Sequence, residues 1–159
     1  MRLLPAGSVR LDLERPWSIS GGPTSRLVRD GRRTDCVVDG EVLQAAIGWG
    51  GRLVLLNTDG IDYEDALHIY LIDRDDQVLD RASLSAAYST GTFDQLELLA
   101  PDKIRFRFFN QKRWVIELFD KARVALPWSE PQGVHRPFGL SRRFRVSAHS
   151  LDRPGEPGG

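Results

Sequence analysis

Lys103-Ile104-Arg105-Phe106-Arg107-Phe108-Phe109-Asn110-Gln111-Lys112-Arg113-Trp114-Val115-Ile116-Glu117-Leu118-Phe119 alternates apolar and charged residues on both sides of a short polar interruption. Successive side chains of a β-strand point to opposite faces, so Ile104, Phe106 and Phe108 share one face while Arg105 and Arg107 share the other. After the turn sequence Asn110-Gln111-Lys112, the residues Trp114, Ile116 and Leu118 repeat the pattern. These six apolar residues are the expected core. Upstream, Ala100-Pro101-Asp102-Lys103 has turn chemistry, and the region from Phe93 to Phe119 therefore reads as a three-stranded meander.

The same punctuation continues outward. Gly50-Gly51 separates Val42–Trp49 from Arg52–Leu56 and suits a tight hairpin, because both glycines accept positive φ. Leu67-His68-Ile69-Tyr70-Leu71-Ile72 is rich in residues that favour strands. Val9, Leu11 and Leu13 alternate with charged neighbours, as do Phe144, Val146 and Ala148 with Arg143, Arg145 and Ser147. Only Ala82–Tyr88 and Glu64–His68 are helix candidates, and neither sustains a 3.6-residue period. The expected fold is all-β and mainly antiparallel: a β-barrel or β-sandwich of about 8–10 short strands with at most one or two short helices. Residues 1–150 are expected to form a single β domain, and 151–159, rich in Pro and Gly, a disordered C-terminal tail.

Of the 159 residues, 41% are hydrophobic and 28% charged, a composition that can bury a core, and 22 acids balance 22 bases. With zero net charge, no overall field recruits nucleic acid or anionic lipid, so local patches decide. Residues 57–80 hold eight acids against Arg74 alone, and residues 102–145 hold eleven Lys and Arg against four acids. Cys36 stands alone, which excludes an intrachain disulfide and points to a cytoplasmic location. The N-terminus has no signal-peptide core, and no run approaches the length of a membrane span.

Motifs for chemistry are absent at the required spacing. Setting Gly60 at the glycine of a calcium loop puts Leu55 and Ala66 at ligand positions, so no metal or other cofactor is expected. No Gly-x-Ser-x-Gly elbow or phosphate-binding loop is present. Glu97 and Glu117 lie on neighbouring strands beside Arg105 and Arg107, which suits ion pairing better than glycoside chemistry. His68, in mid-strand, fits a cross-strand hydrogen bond, and Cys36 fits a buried, inert thiol.

A non-enzymatic protein-interaction module is therefore expected, of a bacterial immunity or inhibitor type. Its partner would be a protein with a basic surface, met through Asp59, Asp62, Glu64, Asp65, Asp75 and Asp76. One alternative is a small-ligand-binding barrel lined by Trp49, Tyr70, Phe106 and Trp114. Another is nucleic-acid or nucleotide binding through Arg105, Arg107, Phe109, Arg113, His135 and Arg136, with Phe109 expected on the basic face of the 103–114 hairpin.

Overall fold

A computed structural model of the chain describes residues 1–61, 65–86, 91–109, 112–126 and 129–150. Its strands, in chain order, are β1 (Arg2–Leu3), β2 (Val9–Arg15), β3 (Thr24–Arg29), β4 (Arg32–Asp39), β5 (Val42–Trp49), β6 (Arg52–Thr58), β7 (Leu67–Ile72), β8 (Val78–Leu84), β9 (Asp94–Leu99), β10 (Lys103–Arg107), β11 (Lys112–Val124), β12 (Val134–His135) and β13 (Ser141–Ser150). They pair antiparallel into three sheets, ordered β1-β5-β6-β7-β8-β12, β13-β11-β10-β9 and β2-β3-β4.

The six-stranded sheet is the middle layer. Ile47, Val54, Leu56, Ile69, Leu71 and Leu84 project from one face onto Ile104, Phe106, Trp114, Ile116, Phe144 and Val146 of the four-stranded sheet. From the opposite face, Leu53, Leu55, Tyr70 and Ile72 meet Val9, Leu27, Cys36 and Val38 of the three-stranded sheet. Burial on both faces explains why β6 and β7 read as nearly continuous apolar runs: no position in the middle of either strand faces water. The six residues expected in the core are all at most 7% exposed.

All-β antiparallel architecture is thus present, with thirteen strands among the described residues, three of which occupy a layer beyond a two-layer sandwich. Each sheet is open in its strand order, so no closed barrel forms. Among the described residues there is no helix. Ala82–Leu84 belongs to β8 and Leu67–His68 to β7, because pairing of Ala82 with Ile69 and Leu84 with Leu67 directs all four apolar side chains into the core. Residues 65–66 and 85–86 of the helix candidates have no regular structure, and Glu64, residues 87–88 and the tail at 151–159 lie outside the described residues. Gly50 and Gly51 have φ of 56° and 76°, as the hairpin between β5 and β6 requires.

The open edge strand β13 is covered by side chains. Asp80 Oδ2 accepts the Arg143 backbone N–H at 2.7 Å, and Glu130 Oε2 accepts that of Val146 at 2.8 Å. Arg136 joins the two acids and lies over the Phe144 ring, 4.2 Å from its centroid. Charged groups placed against an edge satisfy its backbone donors and deny them to another chain.

Candidate functional site

The outer face of the four-stranded sheet turns its back on the core and carries an ordered array of polar side chains. Cross-strand pairing sets out three rows: Asp94, Arg107, Arg113 and His149; Glu97, Arg105, Val115 and Ser147; Leu99, Lys103, Glu117 and Arg145. Gln95, with φ of 52°, lies in the β9 irregularity that brings Asp94 opposite Arg107. Arg105 pairs with Glu97, and Arg145 with Glu117 at 2.7 Å. Lys103, Arg107 and Arg113 form no ion pair among the described residues. The Arg105 Nε–H also lacks a hydrogen-bond partner there. Lys103, Arg105, Arg113 and Arg145 border an open depression of about 700 Å³.

Phe109 does not lie on this face. It is 3% exposed and packs against Trp114 and Phe108, because β10 ends at Arg107 and the chain turns before strict alternation reaches residue 109. All the aromatic residues of the hairpin are inside, so the face offers charge without stacking surfaces.

Arg136 is also absent from it. Its side chain is 7% exposed, held by Glu130 at 2.8 Å and Asp80 at 2.9 Å. It is a structural cation covering the β13 edge. His135 is exposed on β12, with Nε2 at 3.3 Å from the Ser85 carbonyl oxygen, and belongs to the middle sheet.

Most described members of the acidic group have intramolecular partners. Asp59 Oδ1 lies 2.7 Å from His68 Nε2. Asp65 Oδ1 accepts the backbone N–H groups of Asp59 and Gly60 at 2.9 and 3.1 Å, yet burial pushes its carboxyl above the ordinary range. Asp76 binds Arg29 at 2.9 Å and Arg32 at 2.8 Å. Burial pushes the Asp76 carboxyl up, but hydrogen bonds and charge from Arg32 and Arg29 outweigh it and leave the carboxyl below its usual range. Asp75 is exposed, and Asp62 and Glu64 lie outside the described residues.

The four aromatic residues considered as barrel liners do not share a lumen. Trp49, Phe106 and Trp114 belong to the core beneath the four-stranded sheet, and Tyr70 to the core on the other side of the middle layer. The Tyr70 hydroxyl accepts the Asp39 backbone N–H at 2.8 Å.

Arg145 and Ser147 alternate visibly in the sequence, but their placement opposite Glu117 and Val115 depends on β13 pairing with β11, across a long connection that no local signal specifies. No group of three or more His, Cys, Asp or Glu residues suited to a metal occurs among the described residues. No helix of the described residues is long and apolar enough to cross a membrane. Comparison of the chain with protein-family models, curated proteins and solved structures gives no match.

Proposed function

We propose that the chain is a binding module that takes a polyanionic partner, of the nucleic-acid class, on the outer face of its four-stranded sheet. The observation that carries this reading is the contrast in pairing on that face: Glu97 and Glu117 are each engaged by an arginine, while Lys103, Arg107 and Arg113 have no ion-pair partner among the described residues. Cations on a rigid sheet can meet successive phosphates without reordering the backbone, and the absence of stacking surfaces favours backbone contacts over base readout. A buried free thiol at Cys36 fits a reducing, cytoplasmic setting.

Fluorescence anisotropy with a labelled single-stranded oligonucleotide across a salt series tests this. Three phosphate contacts give a log–log salt slope of about −2 for a single strand, and changing Lys103, Arg107 and Arg113 to alanine together flattens it. Absence of binding at low salt, or a slope the triple variant leaves unchanged, refutes the reading.

The second reading retains a protein partner with a basic surface, in an immunity or inhibitor role, and rests on the exposure of Asp75. It requires association that the Asp75→Lys substitution weakens and the triple alanine variant leaves intact.

A further inference from the structure

Asp59, His68 and Ser83 form a continuous hydrogen-bonded chain on the face of the middle sheet opposite the core beneath the basic surface. Asp59 Oδ1 is 2.7 Å from His68 Nε2, and His68 Nδ1 is 2.9 Å from Ser83 Oγ. Strand pairing produces the arrangement: His68 on β7 lies directly opposite Ser83 on β8, and Ser83 directly opposite His135 on β12. Asp59 follows β6 immediately, and its side chain reaches back over the imidazole. His68 shares its face with Tyr70 and Ile72, which pack toward the three-stranded sheet, so this cluster is separate from the basic surface on the far side of the four-stranded sheet.

We propose that Ser83 is a nucleophile, with His68 as its general base and Asp59 as a positioning residue, and that it reacts with small activated acyl esters. An ionised Asp59 accepts the Nε2–H, which fixes the tautomer and leaves the Nδ1 lone pair to accept the Ser83 hydroxyl proton. Burial is graded in the required sense. The His68 and Asp59 side chains are 10% and 13% exposed, whereas Ser83 is half-buried and borders an open depression of about 180 Å³. A protected base and an accessible nucleophile are what acyl transfer needs.

The imidazole is also held in place from its carbon edge. A Cβ on Gly40, which has φ of 106°, would lie 3.1 Å from His68 Cδ2 and 2.2 Å from Asn57 Nδ2. Only glycine lets the backbone approach this closely at such a φ, and the approach restricts rotation of the ring. Beside Ser83, the same depression is bordered by Arg81, whose side chain is half-exposed, and by His135. The Arg81 guanidinium, which also faces Asp39 at 3.9 Å, is the cation nearest to an oxyanion forming at the attacked carbonyl.

The chemistry balances without a cofactor. Ser83 Oγ bonds to the ester carbonyl carbon as its proton passes to His68 Nδ1, and the alkoxide leaves with that proton. Water then attacks the acyl-serine, giving a proton to His68, and the carboxylic acid departs as Ser83 recovers it. No centre changes oxidation state.

The full chain is treated with an alkyl fluorophosphonate, in which Ser83 Oγ displaces fluoride at phosphorus, and the adduct is located by peptide mass. In parallel, nitrophenolate release from nitrophenyl acetate is followed. The expected result is one adduct, at Ser83, and release that falls at least about tenfold in Ser83→Ala. His68→Ala slows labelling by about 10²-fold or more. Asp59→Asn slows it too, and Asp59→Glu restores part of the rate, a rescue that a purely structural carboxylate would not produce. In case Ser83→Ala fails to fold, Ser83→Cys supplies a thiol that iodoacetamide alkylates faster than buried Cys36, an excess that vanishes when His68→Ala is added. No adduct at Ser83, labelling unaffected by His68→Ala, or nitrophenolate release unchanged in a folded Ser83→Ala protein overturns the proposal.

Discussion

Replacing Arg136 with alanine tests the cluster that closes the gap between the middle sheet and the β13 edge. Arg136 reaches Glu130 through two bonds of 2.8 Å, Asp80 at 2.9 Å and the Phe144 carbonyl oxygen at 2.7 Å. Exposure is only 7% for the Arg136 and Asp80 side chains and 10% for Glu130. Removing the guanidinium leaves the Asp80 and Glu130 carboxylates without their cation in a poorly solvated site and strips the Phe144 and Arg81 carbonyls of a donor. Breaking a buried pair from one side costs about 3–5 kcal/mol. At about 2–4 °C per kcal/mol for a chain of this size, the melting midpoint falls by roughly 6–20 °C. Chemical denaturation followed by circular dichroism measures the free energy. A charge-free triple variant, Asp80→Asn, Glu130→Gln and Arg136→Met, recovers a large part of the loss because no buried charge is left unpaired. An Arg136→Ala protein within about 1 kcal/mol of the parent would refute the assignment of this cluster as a structural edge cover.

Gly40→Ala, at φ of 106° and with a Cβ contact of 2.2 Å to Asn57 Nδ2, lowers stability by about 2–3 kcal/mol, read as an earlier urea midpoint at unchanged slope. Hydrogen bonds from Arg26 and then Arg33 hold the Glu14 carboxyl down at about 2, below its ordinary 4.5. A lowered folded value means that Glu14 favours the folded state above pH 4.5 and that this contribution is lost as pH falls toward 2, so Glu14→Gln flattens the stability profile in that window. Burial pushes the Tyr70 hydroxyl up to about 12 from an ordinary 10, so its contribution is complete below pH 10 and disappears as pH rises through 12. Tyr70→Phe abolishes the late phenolate absorbance step and, by leaving the Asp39 N–H without its acceptor, costs about 1 kcal/mol.

Period-two alternation makes β10 and β11 legible because each of those strands has one wet face and one dry face. The same rule understates the layer count. Leu53-Val54-Leu55-Leu56 has no alternation to read, since both of its faces are covered, and the second cover consists of β2, β3 and β4, whose own local pattern does not say what they pack on. Arg105, Arg107 and Arg113 are legible as a basic face for the same reason as the strands that carry them. Phe109 is not, because its direction is set by the end of β10. Arg136 reads as a loop cation next to His135, and its burial becomes evident only when Asp80, distant in sequence, is brought against it. The Asp59–His68–Ser83 chain likewise depends on strand register, which places His68 opposite Ser83 and has no short sequence motif.

Amide chemical-shift mapping tests the claim for the basic face most directly. Isotope-labelled full chain is titrated at low salt with a single-stranded oligonucleotide. Shifts concentrated on the strands carrying Lys103, Arg107, Arg113 and His149, and reversed by added salt, are the predicted result. An unchanged spectrum, or shifts confined to the segment around Asp59 and Asp75, would contradict it.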